Sequence, residues 1–153
     1  MDEHSRLSSF DDTTDFDYAT TSYNPDALHA GFPSPAQNYM HGTIDLNRVL
    51  VRHRETTFFA RVDGDSIKDT GICDEDIVII DRSLDARDGD IVVAYLDGEF
   101  VLRRLQIDKA KNCAWLVSSD NESKTTKISN ENDVTIWGVV TYTIKKIRNP
   151  NVK

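Results

Sequence analysis

From Thr56 onward the chain is written in short runs of β-branched and aromatic residues, and that rhythm limits the fold more than any other feature. The runs are "TTFFARV" (56–62), "DIVIIDRS" (76–83), "DIVVAYL" (90–96), "EFVLRRLQI" (99–107), "AWLVS" (114–118), "TTKIS" (125–129) and "VTIWGVVTYTIKKI" (134–147). Such side chains suit a pleated, half-buried surface, and runs of this length separated by Asp, Asn, Gly and Ser predict strands. The fold class is mostly β. Asp97-Gly98 lies between the third and fourth runs, and this dipeptide favours a two-residue hairpin because both positions accept positive φ. A hairpin over 90–107 follows. The apolar 134–147 run is read as a core strand in preference to an interface strand.

Upstream the composition changes. Residues 1–30 carry Asp2, Glu3, Asp11, Asp12, Asp15, Asp17 and Asp26 against Arg6 as the only basic side chain apart from histidine. That stretch holds too little apolar surface to offset its ordering entropy, so it is expected to be a flexible arm. In "IDLNRVLVRH" (44–53), Leu46, Val49 and Leu50 stand at helical spacing; a helix of about two turns or an extended connector both fit. The expected organisation is an arm over 1–30, a connector over 31–55, a β domain over 56–147 and a tail over 148–153.

The net charge of −8 speaks against phosphate-backbone binding as the main activity, which calls for a concentrated Lys/Arg surface. No apolar run has spanning length and no leader peptide is evident, so a cytoplasmic protein without a membrane partner is expected. Cys73 and Cys113 are read as small buried hydrophobes rather than a disulfide. His4, His29, His41 and His53 lack the spacing of a metal site, and no cofactor is expected.

Two segments carry possible chemistry. "RVDGDSIKDTGI" (61–72) follows a strand and places Ser66 where it could point into a cleft beside free backbone N–H groups. A turn or helix cap explains Asp65-Ser66 equally well. On the run 99–107, alternation puts Val101, Arg103, Leu105 and Ile107 on one face and Phe100, Leu102, Arg104 and Gln106 on the other. Arg103 is then the charged member of the more apolar set. It either snorkels at a sheet edge or stands where the basic partner of a serine would be, since burial among aliphatic groups lowers a lysine's pKa.

"FFARVDGDSI", "GICDEDIVIIDRSLDARDGDIVVAYLDGEF" and the connector "AGFPSPAQNYM…IDLN" together resemble the UmuD proteins, relatives of the self-cleaving C-terminal domain of the LexA repressor. The likeness spans residues 30 to about 147. It implies a LexA/UmuD-type β fold and a serine peptidase whose Ser/Lys dyad cuts its own arm, in a homodimer. It further implies cleavage stimulated by RecA filaments on single-stranded DNA, and a trimmed dimer that joins a UmuC-type Y-family polymerase for translesion synthesis in the SOS response. Ser66 matches the family's nucleophile, and Ala30-Gly31 matches its scissile bond. A small pair in an extended segment suits a cleft that receives backbone in strand-like form.

One match fails. The family reads "GEF-x-x-K-[KR]-L" after the hairpin, whereas this chain reads "GEFVLRRL", so Arg103 occupies the lysine's position. A guanidinium, with a pKa above about 12, cannot serve as a general base. Arg104 projects to the opposite face, and Lys68 lies too near Ser66 in a compact loop to fold back onto it readily. Arg103 is an engineered change, a natural loss of self-cleavage, or a brake that leaves slow cleavage through positioning and oxyanion stabilisation. Ile67 replaces a methionine, a volume-conserving swap. A LexA-type repressor would need a helix-turn-helix domain that thirty acidic residues cannot supply, and a signal-peptidase relative would ordinarily need a membrane anchor. A non-catalytic interaction module that binds a polymerase or a RecA filament remains as the alternative.

Overall fold

A computed structural model describes residues 6–9, 21–22, 43–64, 67, 70–118, 125–131 and 133–148. The chain divides into two units, one of residues 1–10 and 53–153, the other of residues 11–52. In the smaller unit, β2 (Thr21–Ser22) pairs antiparallel with β3 (Thr43–Ile44), and α1 (Leu46–Leu50) follows directly. Asp45 caps α1 by accepting a hydrogen bond from the Asn47 N–H at 3.0 Å, and Val51 returns to extended backbone. The helical reading of 44–53 thus holds for five residues only. Leu46 and Val49 are exposed, so no packing is available to extend so short a helix.

The larger unit contains β1 (Arg6–Ser9), β4 (Thr57–Asp63), β5 (Ile77–Asp81), β6 (Ile91–Leu96), β7 (Glu99–Asp108), β8 (Cys113–Val117), β9 (Thr126–Lys127) and β10 (Val134–Ile144). They form one sheet in the order β1-β4-β5-β10-β6-β7-β8-β9, and β1 also pairs with β7. The strands from β1 to β7 in that order therefore close on themselves, while β8 and β9 continue outward from β7. Every β-rich run in the sequence is a strand. Asp97 and Gly98 form the β6–β7 turn with φ of 51° and 82°, the two positive values a type I′ hairpin requires.

β10 lies between β5 and β6, and its register shifts at Ile136/Gly138 against β6 and at Val140/Tyr142 against β5. Such bulges bend a strand and raise its twist, which helps the sheet to close. Gly138 and Val139 are buried, whereas Tyr142 and Ile144 are exposed, so the run is core strand in its first half. Ala60, Val62, Ile67, Ile72, Val78, Ile80, Val93 and Leu102 pack together as one apolar cluster. Val92, Ala94, Val101, Leu105, Leu116 and Val139 form a second. Each fully buried aliphatic side chain contributes roughly 1.5–3 kcal/mol, and these clusters fix which face every strand presents. Phe58, Trp137, Phe100 and Tyr95 touch in sequence across β4, β10, β7 and β6, with centroid separations of 5.1, 5.7 and 5.1 Å. Among the described residues no helix is long and apolar enough to cross a membrane.

Candidate active site

β7 carries Arg103 between buried Val101 and Leu105 and directly opposite buried Val92 of β6. The expected alternation holds, with one addition: Leu102 is buried as well, so β7 is covered on both faces at this point. Arg103 is 3% exposed. Its Nη1 donates to the carbonyl of Leu102 at 2.7 Å, and its buried Nε has no hydrogen-bond partner among the described residues.

The ladder orients the Leu102 carbonyl. Gly89 N donates to Leu105 O and Leu105 N donates to Asp90 O, so Leu105 turns its backbone polar groups away from β8. Alternation then turns those of Arg104 toward Val117 of β8, and those of Leu102 toward the same side. The described β7–β8 ladder ends at Arg104 with Val117, and β1 places Arg6 opposite Val101. The guanidinium satisfies the Leu102 carbonyl. Burial pushes the Arg103 pKa below the usual arginine value. Arginine starts so high that the group remains a cation at neutral pH.

Ser66, Lys68, Ala30 and Gly31 lie outside the described residues. The loop in which Ser66 falls is tied at its described ends. Val62 exchanges hydrogen bonds with this loop's far end, donating to Asp76 O at 2.8 Å and accepting from Glu75 N at 2.7 Å, and Gly64 N donates to Asp74 Oδ1 at 2.9 Å. Ile67 is buried at 2% exposure in the first apolar cluster and bridges Ile72. The residue that replaces the family methionine is thus a packing residue.

A polar cluster that sequence reading missed joins His53, Thr56, Asp81 and Ser83. His53 Nδ1 donates to Asp81 Oδ2 at 2.7 Å, while Ser83 Oγ and Thr56 Oγ1 donate to Asp81 Oδ1 at 2.7 and 3.0 Å. Burial would raise the Asp81 pKa, but the hydrogen bonds from His53, Ser83 and Thr56 outweigh it and hold the carboxyl far below the usual range. Serine, histidine and aspartate meet here without the geometry of a nucleophilic triad. Ser83 Oγ and Asp81 both face Nδ1 of His53, at 3.0 and 2.7 Å, whereas a triad uses opposite ring nitrogens. The cluster is a structural knot. Asp81-x-Ser83 carried a local signal, since Ser83 N also donates to Asp81 Oδ1 at 2.8 Å; His53 approaches from 28 residues away and carried none.

Cys73 and Cys113 are unpaired and half-buried, less enclosed than expected. Each ends beside a backbone carbonyl two residues earlier, Gly71 O at 3.6 Å and Lys111 O at 3.2 Å, because both occupy turn margins rather than strand centres.

Residues 23–141 match the Peptidase S24-like family. Protein MucA of Salmonella typhimurium is 41% identical over 117 residues, covering 76% of this chain and 79% of its own length. Protein ImpA of Shigella flexneri is 37% identical over 123 residues, 80% of this chain and 82% of its own. The LexA repressor of Ectopseudomonas mendocina is 31% identical over 118 residues, 76% of this chain and 56% of the repressor. The β architecture and these similarities agree, and the chain belongs to the Peptidase S24-like family as a UmuD-type member.

Proposed function

We propose that this chain is a UmuD-like SOS-response protein whose arm is removed by self-cleavage at Ala30-Gly31, with Ser66 as nucleophile and position 103 as the seat of its base. Arg103 strongly impairs that cleavage. The observation that carries this reading is the dryness of position 103: a side chain 3% exposed on β7 among Val92, Val101 and Leu105. A lysine begins near 10.4, and burial of this kind lowers its pKa enough for a neutral amine to accept the serine proton. Arginine in the same pocket stays charged and takes no proton from Ser66. What then remains is positioning and oxyanion stabilisation, which support only residual turnover.

In this reading RecA filaments on single-stranded DNA stimulate the cut, and the trimmed homodimer joins a UmuC-type Y-family polymerase as its accessory subunit. Arg103 itself favours a second reading, a dimeric interaction module that binds the polymerase or the RecA filament and cuts nothing. The test is incubation of the purified chain and of Arg103→Lys at mildly alkaline pH, and separately with RecA, an ATP analogue and single-stranded DNA, followed by intact mass. Loss of residues 1–30 from the Arg103→Lys protein, abolished by Ser66→Ala, is the expected result. Equal cutting of both proteins would refute the role given to Arg103. No cutting of either would leave the interaction module.

A further inference from the structure

The Arg103 guanidinium is a buried cation to which the described residues supply no anion. It is 3% exposed, directly opposite Val92 and on the same face of β7 as Val101 and Leu105, all three of them buried. Among the described residues no carboxylate forms an ion pair with it, and its one hydrogen bond runs from Nη1 to Leu102 O at 2.7 Å. Burial lowers its pKa, and no neighbouring charge acts the other way. A guanidinium carries five N–H groups and a full positive charge, and an interior charge without a counter-charge is costly. A buried donor without a partner is equally rare and calls for a physical account.

The donors left over decide which ligand fits. Nη1 is the terminal nitrogen on the Cδ side of the guanidinium, so its bond to Leu102 O leaves the opposite edge, Nε with Nη2, whole. That edge is a fork of two parallel N–H groups, which a carboxylate bridges with both oxygens. Nε, half of the fork, is buried and without a partner among the described residues. A water accepts from Nε but leaves the charge uncompensated. A phosphate demands more donors than one fork among aliphatic side chains supplies. A carboxylate is planar and brings one negative charge, and it answers both needs. We infer that Arg103 is the receptor of a carboxylate ligand, bridged by Nε and Nη2, with the guanidinium plane held in advance by the Nη1 bond to Leu102 O. Two sources share this chemistry, a free short carboxylate and the terminal carboxylate of a polypeptide. The second rests on the proposed cleavage, because a cut behind Ala30 creates such a terminus; the receptor itself does not.

The test titrates sodium formate into the full-length chain at constant ionic strength. The Arg103 Nε–H resonance, assigned by its absence from Arg103→Met, should move saturably. In urea the unfolding equilibrium constant of the parent should fall about tenfold at a formate concentration ten times the dissociation constant, and that of Arg103→Met should not respond. A synthetic peptide of residues 27–30 ending in the free Ala30 carboxylate should move the same resonance if the source is a polypeptide terminus, while its C-terminal amide should not. Formate active with both peptides silent would assign the receptor to a free carboxylate. A resonance that formate leaves unmoved would overturn the inference and leave a water at Nε, and so would one that inorganic phosphate moves and formate does not. Both readings come from the parent protein alone, whether or not Arg103→Met folds. Failure of Arg103→Lys to remove its arm would strike the proposed cleavage and leave the formate result standing, so the two failures are separable.

Discussion

Lys145 Nζ lies 2.6 Å from Asp76 Oδ2, clasping the end of β10 to the start of β5 just beyond the last ladder pair, Ile144 with Ile77. Asp76 is buried, and its same oxygen accepts from Cys73 N at 2.9 Å. The hydrogen bond to Asp76 raises the Lys145 pKa more than burial lowers it. A raised folded pKa contributes stability that is complete below the unfolded value, near 10.4, and is lost as pH climbs through the folded one. Lys145→Gln should therefore lower the urea midpoint at pH 7. The gap between the two proteins should narrow above about pH 11, where the native lysine also loses its charge.

Arg103 is a buried cation that, among the described residues, has one hydrogen bond to backbone and an Nε without a partner. Replacing such a group by an apolar side chain of similar reach removes a desolvation cost while exposing one carbonyl to a lost bond. Arg103→Met is expected to stay within about 1 kcal/mol of the parent in urea unfolding, because these terms oppose each other. Arg103→Ala, which also leaves a cavity beside Val92 and Leu105, should lose about 2–4 kcal/mol. A large loss in the Met variant would mean that the guanidinium does more for the fold than hold Leu102.

The strands of the β domain were legible because each run had to present apolar groups at period two, and Asp97-Gly98 fixed one turn chemically. Arg103 could be placed on a face for the same reason. Its contact could not, because the burial that turns the guanidinium back onto the Leu102 carbonyl depends on strands distant in sequence. β1, β2 and β3 were illegible because short strands in polar sequence owe their form to a partner strand rather than to their own residues. The His53–Asp81 bond was hidden likewise, since nothing near either residue names the other.

Asp81 sets the acid limit of the fold. Its carboxyl is depressed well below the unfolded value near 3.9, so its contribution is complete above that value and is lost as pH falls toward the folded one. Asp81→Asn should cost about 2–3 kcal/mol at pH 7, the loss of charge-assisted hydrogen bonds from His53, Ser83 and Thr56. Below about pH 4 the parent should lose stability faster than Asp81→Asn, and the difference should shrink. Chemical unfolding of both proteins at several pH values reads this directly. A constant difference would show that the carboxylate's charge is irrelevant to the knot.

Gly138 is required by contact rather than by backbone conformation. A Cβ at this position would lie 2.6 Å from Ile80 Cγ2 and 3.4 Å from both Asp81 O and Arg82 Cγ. Ile80 is 1% exposed and packed in the first cluster, so its branch methyl has nowhere to move. Gly138→Ala should therefore destabilise by about 1–3 kcal/mol through overpacking. Ile80→Val would not relieve it, because valine keeps a γ-methyl on the same branch. Ile80→Leu removes that methyl at nearly constant volume. The double variant Gly138→Ala with Ile80→Leu should recover much of the loss, giving a coupling of about 1 kcal/mol or more in a double-mutant cycle. Additive losses would place the cost of Gly138→Ala in the β10 bulge instead of in the methyl contact.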